Sequence, residues 1–327
     1  MVTRRTLLAA ALACPAICTV AGSAGRRLPP EARGVWESGV TLAYGPRSLV
    51  VGHHAEAALL RDLASRADTA ALTVSTVLRR AVRPVVLVPR TTAEAVALAG
   101  TGSVDGLAAL ASAGRVIVLP DAFARLTPVG RDVVLAHELT HVAAAAGDAA
   151  RAPELTPLAA GDAPRVVAEA GDAVRAPEPA RISAGAGDAV RAPELTRVAG
   201  GVGGRPVWLR EGLADYVGYL RSGLPTRVAA AELAAEARAG RLPAALPADA
   251  DFAPGAPRLA QVYQEAWLAS RLIAIRYGTQ ALVDLYYRAA GKDLGQALAS
   301  LGLSVPTLTA HWREYVRNEL TDMGESG

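Results

Sequence analysis

The chain has 327 residues, 51% of them hydrophobic and 20% charged, a balance that excludes a largely disordered polypeptide. Its net charge of +3 is carried by scattered arginines, with Lys292 the only lysine, so no basic footprint for nucleic acid is present. Aromatics are only 4% and alanine buries little area, which makes Trp36, Trp208, Trp267 and Trp312 the expected core anchors.

At the start of the chain, Arg4 and Arg5 precede an apolar run from Leu7 to about Val20, closed by Ala21-Gly22-Ser23-Ala24. This order predicts an export signal over residues 1–24, of the Sec type or, given the paired arginines, the twin-arginine type. The run is too short and alanine-rich for a membrane span. The mature protein is therefore expected to lack a stable span and to be secreted or associated with the cell envelope. Both cysteines, Cys14 and Cys18, fall inside the signal, and neither follows the leucine-small-small run that lipid anchoring needs. The expected mature chain has no disulfide and no thiol chemistry.

Residues 35–51 hold β-branched and apolar positions that predict one or two strands, and 54–80 repeat Ala57, Leu60, Leu63, Ala64, Ala67 and Ala71 at helical spacing. Val85-Val86-Leu87-Val88 reads as a buried strand stopped by Pro89. Thr91 or Thr92 then caps a helix through Leu98, with Glu94 in its first turn. Arg115–Leu119 is a further strand, and an apolar helix runs from Asp132 through His141 to about Ala146. A second helical part begins at Pro206, with helices over 206–221, 229–239, 258–276, 279–290, 293–301 and 306–320. The expected class is α+β: an N-terminal part with a small sheet over 35–146, then a mostly helical part over 206–320.

Between these parts, residues 147–200 have a different texture. Gly147-Asp148-Ala149-Ala150-Arg151-Ala152-Pro153-Glu154-Leu155-Thr156 recurs almost intact from Gly187 to Thr196, with weaker copies at Gly161 and Gly171. The copies are unevenly spaced and no large apolar residue is frequent enough to stack a core, so the segment predicts a low-complexity insertion that is mostly disordered rather than a stacked repeat.

The chemistry-bearing motif is His137-Glu138-Leu139-Thr140-His141. Histidines four apart on a helix share one face and can bind one zinc ion, and Glu138 beside the first can serve a water activated there. A surface helix with two polar residues fits poorly, because Val133, Val134, Leu135, Ala136, Leu139 and Val142 make the helix apolar nearly all round. Buried histidines need partners. Residues 143–146 offer no third ligand. The better source is Trp208-Leu209-Arg210-Glu211-Gly212-Leu213-Ala214-Asp215-Tyr216-Val217, where Glu211 and Asp215 share a helix face amid apolar residues. Two carboxylates there need a compensating cation or histidine N–H, unless they are a surface group paired with Arg210.

With these two motifs the chain resembles the gluzincin zinc peptidases, in particular small secreted bacterial proteins with a peptidase MA-like domain. The resemblance implies a zincin-like fold in which Glu211 is the third metal ligand and Asp215 the carboxylate that hydrogen-bonds a ligand histidine. It also implies Zn2+ as cofactor, a peptide or protein substrate, and Glu138 as general base. Tyr263 is the first candidate for stabilising the tetrahedral intermediate, with Tyr216 and Tyr219 as alternatives. The departure is the long gap between His141 and Glu211, which the repeats occupy; loop closure grows only logarithmically with length, so the gap does not forbid the site. Two other functions remain open: a non-catalytic exported zinc-binding scaffold, and a zinc hydrolase for a cell-wall amide. Of His53 and His54, which follow a strand and precede a helix, at least one is expected to be exposed, and His311 beside Trp312 is expected to pack on a helix surface.

Overall fold

The computed structural model describes residues 16–19, 36, 38–151 and 204–321. The rest of the expected export signal, with Cys14, and residues 152–203, which take in most of the repeat insertion expected over 147–200, lie outside the described residues. The sheet is built from β1 (Ala16–Thr19), β2 (Val40–Tyr44), β3 (Leu49–His53), β4 (Val85–Val88), β5 (Ala109–Ser112) and β6 (Arg115–Val118). Their spatial order is β1-β2-β3-β4-β6-β5. Tight connections join antiparallel neighbours at β2–β3 and β5–β6, and β1 also runs antiparallel to β2. Parallel pairs β3–β4 and β4–β6 need crossovers, which α1 (Ala57–Leu78) and α2 (Thr92–Ala99) supply.

Side-chain alternation sorts the sheet into two faces. Val40, Leu42, Leu49, Val51, Leu87, Leu110 and Ile117 point to one side, where Ala95 of α2 packs. Smaller residues, including Ala43, Val50, Val86, Val88, Ala109, Val116 and Val118, point to the other and join the main core. That core holds α1 and α4 (Pro128–Arg151) against the sheet, followed by α5 (Val207–Tyr219) and α8 (Leu259–Tyr277). Arg66 of α1 ties it to α4, donating to Asp132 at 2.6 Å and to the Pro128 carbonyl at 3.1 Å. The remaining helices are α3 (Pro120–Ala124), α6 (Thr226–Ala229), α7 (Ala231–Arg238), α9 (Thr279–Arg288), α10 (Leu294–Ala299) and α11 (Val305–Thr321). The molecule is α+β, as expected. Among the described residues no helix is long and apolar enough to cross a membrane.

Several expectations need correction. Strand β5 was not foreseen, because Ala109-Leu110-Ala111-Ser112 lacks β-branched residues. It forms because Ala113 (φ 47°) and Gly114 (φ 76°) both take the left-handed conformation of a two-residue hairpin turn onto β6. The short helix α3 starts at Pro120, which suits a first helical position. Helix α4 does not stop near Ala146. It runs to Arg151, because alanine-rich sequence propagates a helix readily, so the first repeat copy begins inside the helix that carries the motif. The helix expected over 229–239 is two, α6 and α7, with Ala230 non-helical between them.

The edges of the insertion are fastened to each other. Arg205, just beyond it, donates to both carboxylate oxygens of Asp148 at 3.2 and 2.9 Å and to the Tyr286 carbonyl at 2.6 Å. Its guanidinium also lies 3.7 Å from the Tyr286 ring centroid. The last turns of α4 and the start of α5 are thereby held together whatever lies between them.

Candidate metal centre

Helix α4 is buried nearly all round, with Val133, Val134, Leu135 and Leu139 in the core, so the histidines of its motif are carried inside. His137 and Glu138 are fully buried, and His141 is nearly so. Helix α5 is equally apolar, burying Trp208, Leu209, Leu213, Ala214 and Val217 around Glu211 and Asp215. Gly212 explains how α5 gets close enough to α8. A Cβ at this position would lie 2.3 Å from the Ala266 carbonyl oxygen and 2.5 Å from Ser270 Oγ. The Glu-Gly pair thus combines a functional carboxylate with the one residue small enough for the helix contact beside it.

Three donor atoms converge between α4 and α5. Nε2 of His137 and Nε2 of His141 are 3.0 Å apart, with their rings edge to face. Oε2 of Glu211 lies 3.4 Å from the first and 3.3 Å from the second. Among the described residues this is the one group of three such side chains whose ligand atoms come together, and all three are buried. A tetrahedral zinc site with bonds of about 2.0–2.1 Å has ligand-to-ligand edges of about 3.3–3.4 Å. The observed triangle is close to one face of such a tetrahedron. Glu211 Oε2 is buried and makes no hydrogen bond, which is costly for a carboxylate oxygen and suits a group that faces a cation. The residues present therefore fit a metal ion.

The surroundings orient these atoms. Nδ1 of His137 is 2.8 Å from Asp215 Oδ1. Asp215 can only accept when ionised, so a proton sits on Nδ1, and Nε2 is the nitrogen left to bind a metal once it gives up its own proton. Burial opposes a charged His137. Asp215, with Glu211 and Glu138, outweighs burial and pushes the His137 pKa up to about 10 in the metal-free site. Burial also works against ionising Glu211, yet His141 and His137 beside it hold its carboxyl well below the usual range. For Asp215 burial prevails over the His137 attraction and its pKa is raised. A cation is what would relieve this concentration of buried carboxylates.

The tyrosines separate by position. Tyr263 of α8 is buried, packed edge to face on Phe252, and its hydroxyl pKa is raised well above normal, first by burial and then by Glu211, Asp215 and Glu138. Tyr263 therefore carries a neutral hydroxyl. Tyr216 turns away, its hydroxyl 2.8 Å from Thr279 Oγ1. Tyr219 packs against Trp267 with the rings tilted and their centroids 4.7 Å apart, and its pKa is raised by burial, Asp215 and Glu232.

Arg210 is the residue that sequence reasoning undervalued. The sequence allows its pairing with Glu211 as a surface contact, whereas Nε donates to Glu211 Oε1 at 2.9 Å beside the convergent atoms. Adjacent helical residues rarely face one another, so only the apolarity of the rest of α5 hinted that this arginine turns inward. His53 and His54 lie apart from the three-residue group. His54 is exposed, while His53 stacks on Trp36 and its Nδ1 is 2.9 Å from Glu94 Oε2. His311 is half-buried beside fully buried Trp312. Comparison of the chain with protein-family models, with curated proteins and with solved structures finds no match.

Proposed function

We propose that the protein is a zinc-dependent peptidase of the gluzincin kind, with a zincin-like fold. The observation that carries the proposal is the buried convergence of His137 Nε2, His141 Nε2 and Glu211 Oε2, with Asp215 behind the first histidine. A purely structural zinc site is usually closed by four protein ligands, and among the described residues three converge. Glu138, fully buried next to His137 on the same helix, is a residue that a structural site has no use for.

When bound, zinc would supply a Lewis acid that polarises the scissile carbonyl and makes water nucleophilic near neutral pH. His137, His141 and Glu211 would hold it, with Asp215 fixing the His137 tautomer. Glu138 would take a proton from the attacking water and pass it to the leaving amine. Tyr263, kept neutral by burial and its acidic neighbours, would donate its hydroxyl hydrogen to the oxyanion. The charged, apolar and small-residue order of residues 1–24 supports export, and so an extracellular or envelope substrate.

The test is a peptide-library digest by the zinc-loaded protein, run beside a cell-wall digest and with Glu138→Gln as the control. Peptide cleavage that falls at least about 100-fold in the variant is expected. Cell-wall release without peptide cleavage would move the substrate to a non-peptide amide. Full zinc occupancy with neither activity would make the protein a metal-binding scaffold.

A further inference from the structure

The two oxygens of Glu211 face different surroundings. Oε1 accepts from Arg210 Nε at 2.9 Å. Oε2 has no hydrogen bond and instead stands 3.4 and 3.3 Å from the two imidazole Nε2 atoms. Glu211 is 1% exposed and the Arg210 side chain 16%, so this pair is formed inside the protein rather than in water. On a helix, neighbours point about 100° apart, so an i to i+1 contact requires the two side chains to bend toward each other. Arginine normally extends its charge to solvent, so the inward fold asks for a reason.

Zinc accepts a carboxylate through one oxygen or through both, and a second bound oxygen uses a position that a catalytic site keeps open. A donor held on one oxygen decides between these modes. We propose that Arg210 is a positioning residue: by engaging Oε1 through Nε, it leaves Oε2 as the single oxygen that Glu211 offers to the metal. The proposal rests on the zinc site described above. It differs from simple charge compensation among Glu138, Glu211 and Asp215, which any cation at residue 210 would provide.

The experiment uses the full-length protein with Arg210→Met, which keeps the aliphatic stem, and Arg210→Lys, which keeps the charge but not the Nε–H. Zinc affinity is read by chelator competition, and geometry by the visible absorption of the cobalt-substituted protein; thermal unfolding checks the fold of each variant. Arg210→Met is expected to bind zinc about 10–100-fold more weakly. Its cobalt spectrum should lose the intensity of a four-coordinate site. Arg210→Lys should recover part of the affinity and none of the spectrum, and it decides the matter if Arg210→Met does not fold. An unchanged spectrum in the folded variants, or full recovery of both readouts by lysine, overturns the role of Arg210 and leaves the zinc site standing. Wild-type protein that takes up no zinc or cobalt overturns both.

Discussion

Asp215 reaches across from α5 to place Oδ1 2.8 Å from Nδ1 of His137 on α4, so one helix fixes the tautomer and ring orientation of the other's histidine. Loss of a partner of this kind typically costs about 10–100-fold in metal affinity. Asp215→Ala is expected to weaken zinc binding by about 10–100-fold, while His137→Ala should abolish it at micromolar metal. Chelator competition on both variants checks the order; an Asp215→Ala affinity equal to wild type would show that the contact does not support the site.

The same contact gives the metal-free protein a defined pH response. His137 is raised from 6.5 to about 10, with burial outweighed by Asp215, Glu211 and Glu138. A histidine whose folded pKa is raised contributes stability that is fully present below its unfolded pKa and is lost as pH rises through the folded one. The melting temperature of the metal-free protein should therefore fall between about pH 7 and pH 10, and less steeply in Asp215→Ala. A flat profile in the wild type would contradict the charged pair.

Gly212 and Gly102 make a matched pair of substitutions. A methyl at Gly212 would meet the Ala266 backbone at 2.3 Å, whereas one at Gly102 meets nothing within 4 Å. Gly212→Ala is expected to cost about 1–3 kcal/mol by forcing α5 off α8. Gly102→Ala should stay within about 0.5 kcal/mol. Denaturant unfolding of the two variants is the measurement, and equal stabilities would mean the helices can separate at no cost.

Because Arg205 and Asp148 hold the ends of the insertion together, the residues between them are expected to be dispensable for the metal centre. Replacing 153–202 by a short glycine-serine linker should leave zinc affinity within about threefold. Stability should stay the same or rise, since each halving of a loop recovers only about 0.6 kcal/mol. Adding Arg205→Ala to the shortened protein should lower its melting temperature. Loss of zinc binding on shortening alone would assign the insertion a part in the centre.

What the sequence shows about the site is local. The spacing of His137 and His141, and of Glu211 and Asp215, depends only on the pitch of a helix, and the apolar residues around each pair require that those faces be buried. Strong periodicity made α1, α8 and α11 visible for the same reason. The less legible parts depend on tertiary contact. Strand β5 is alanine-rich and exists because it pairs with β6. Arg210 turns toward its neighbour's buried carboxylate, and no spacing rule encodes a contact between adjacent helical residues. The extent of α4 is not legible because the repeat boundary is not a structural one: the alanines on both sides of it favour helix equally.

The central claim is that His137, His141 and Glu211 together hold one zinc ion. Zinc-edge X-ray absorption on the purified protein, with metal content measured on the same sample, tests it most directly. The expected result is one zinc per chain, coordinated by two imidazoles and low-atomic-number oxygen donors at about 2.0–2.1 Å. In Glu211→Ala the zinc content should fall. Absence of stoichiometric zinc after loading, or a spectrum unchanged by removal of the Glu211 carboxylate, would contradict the account.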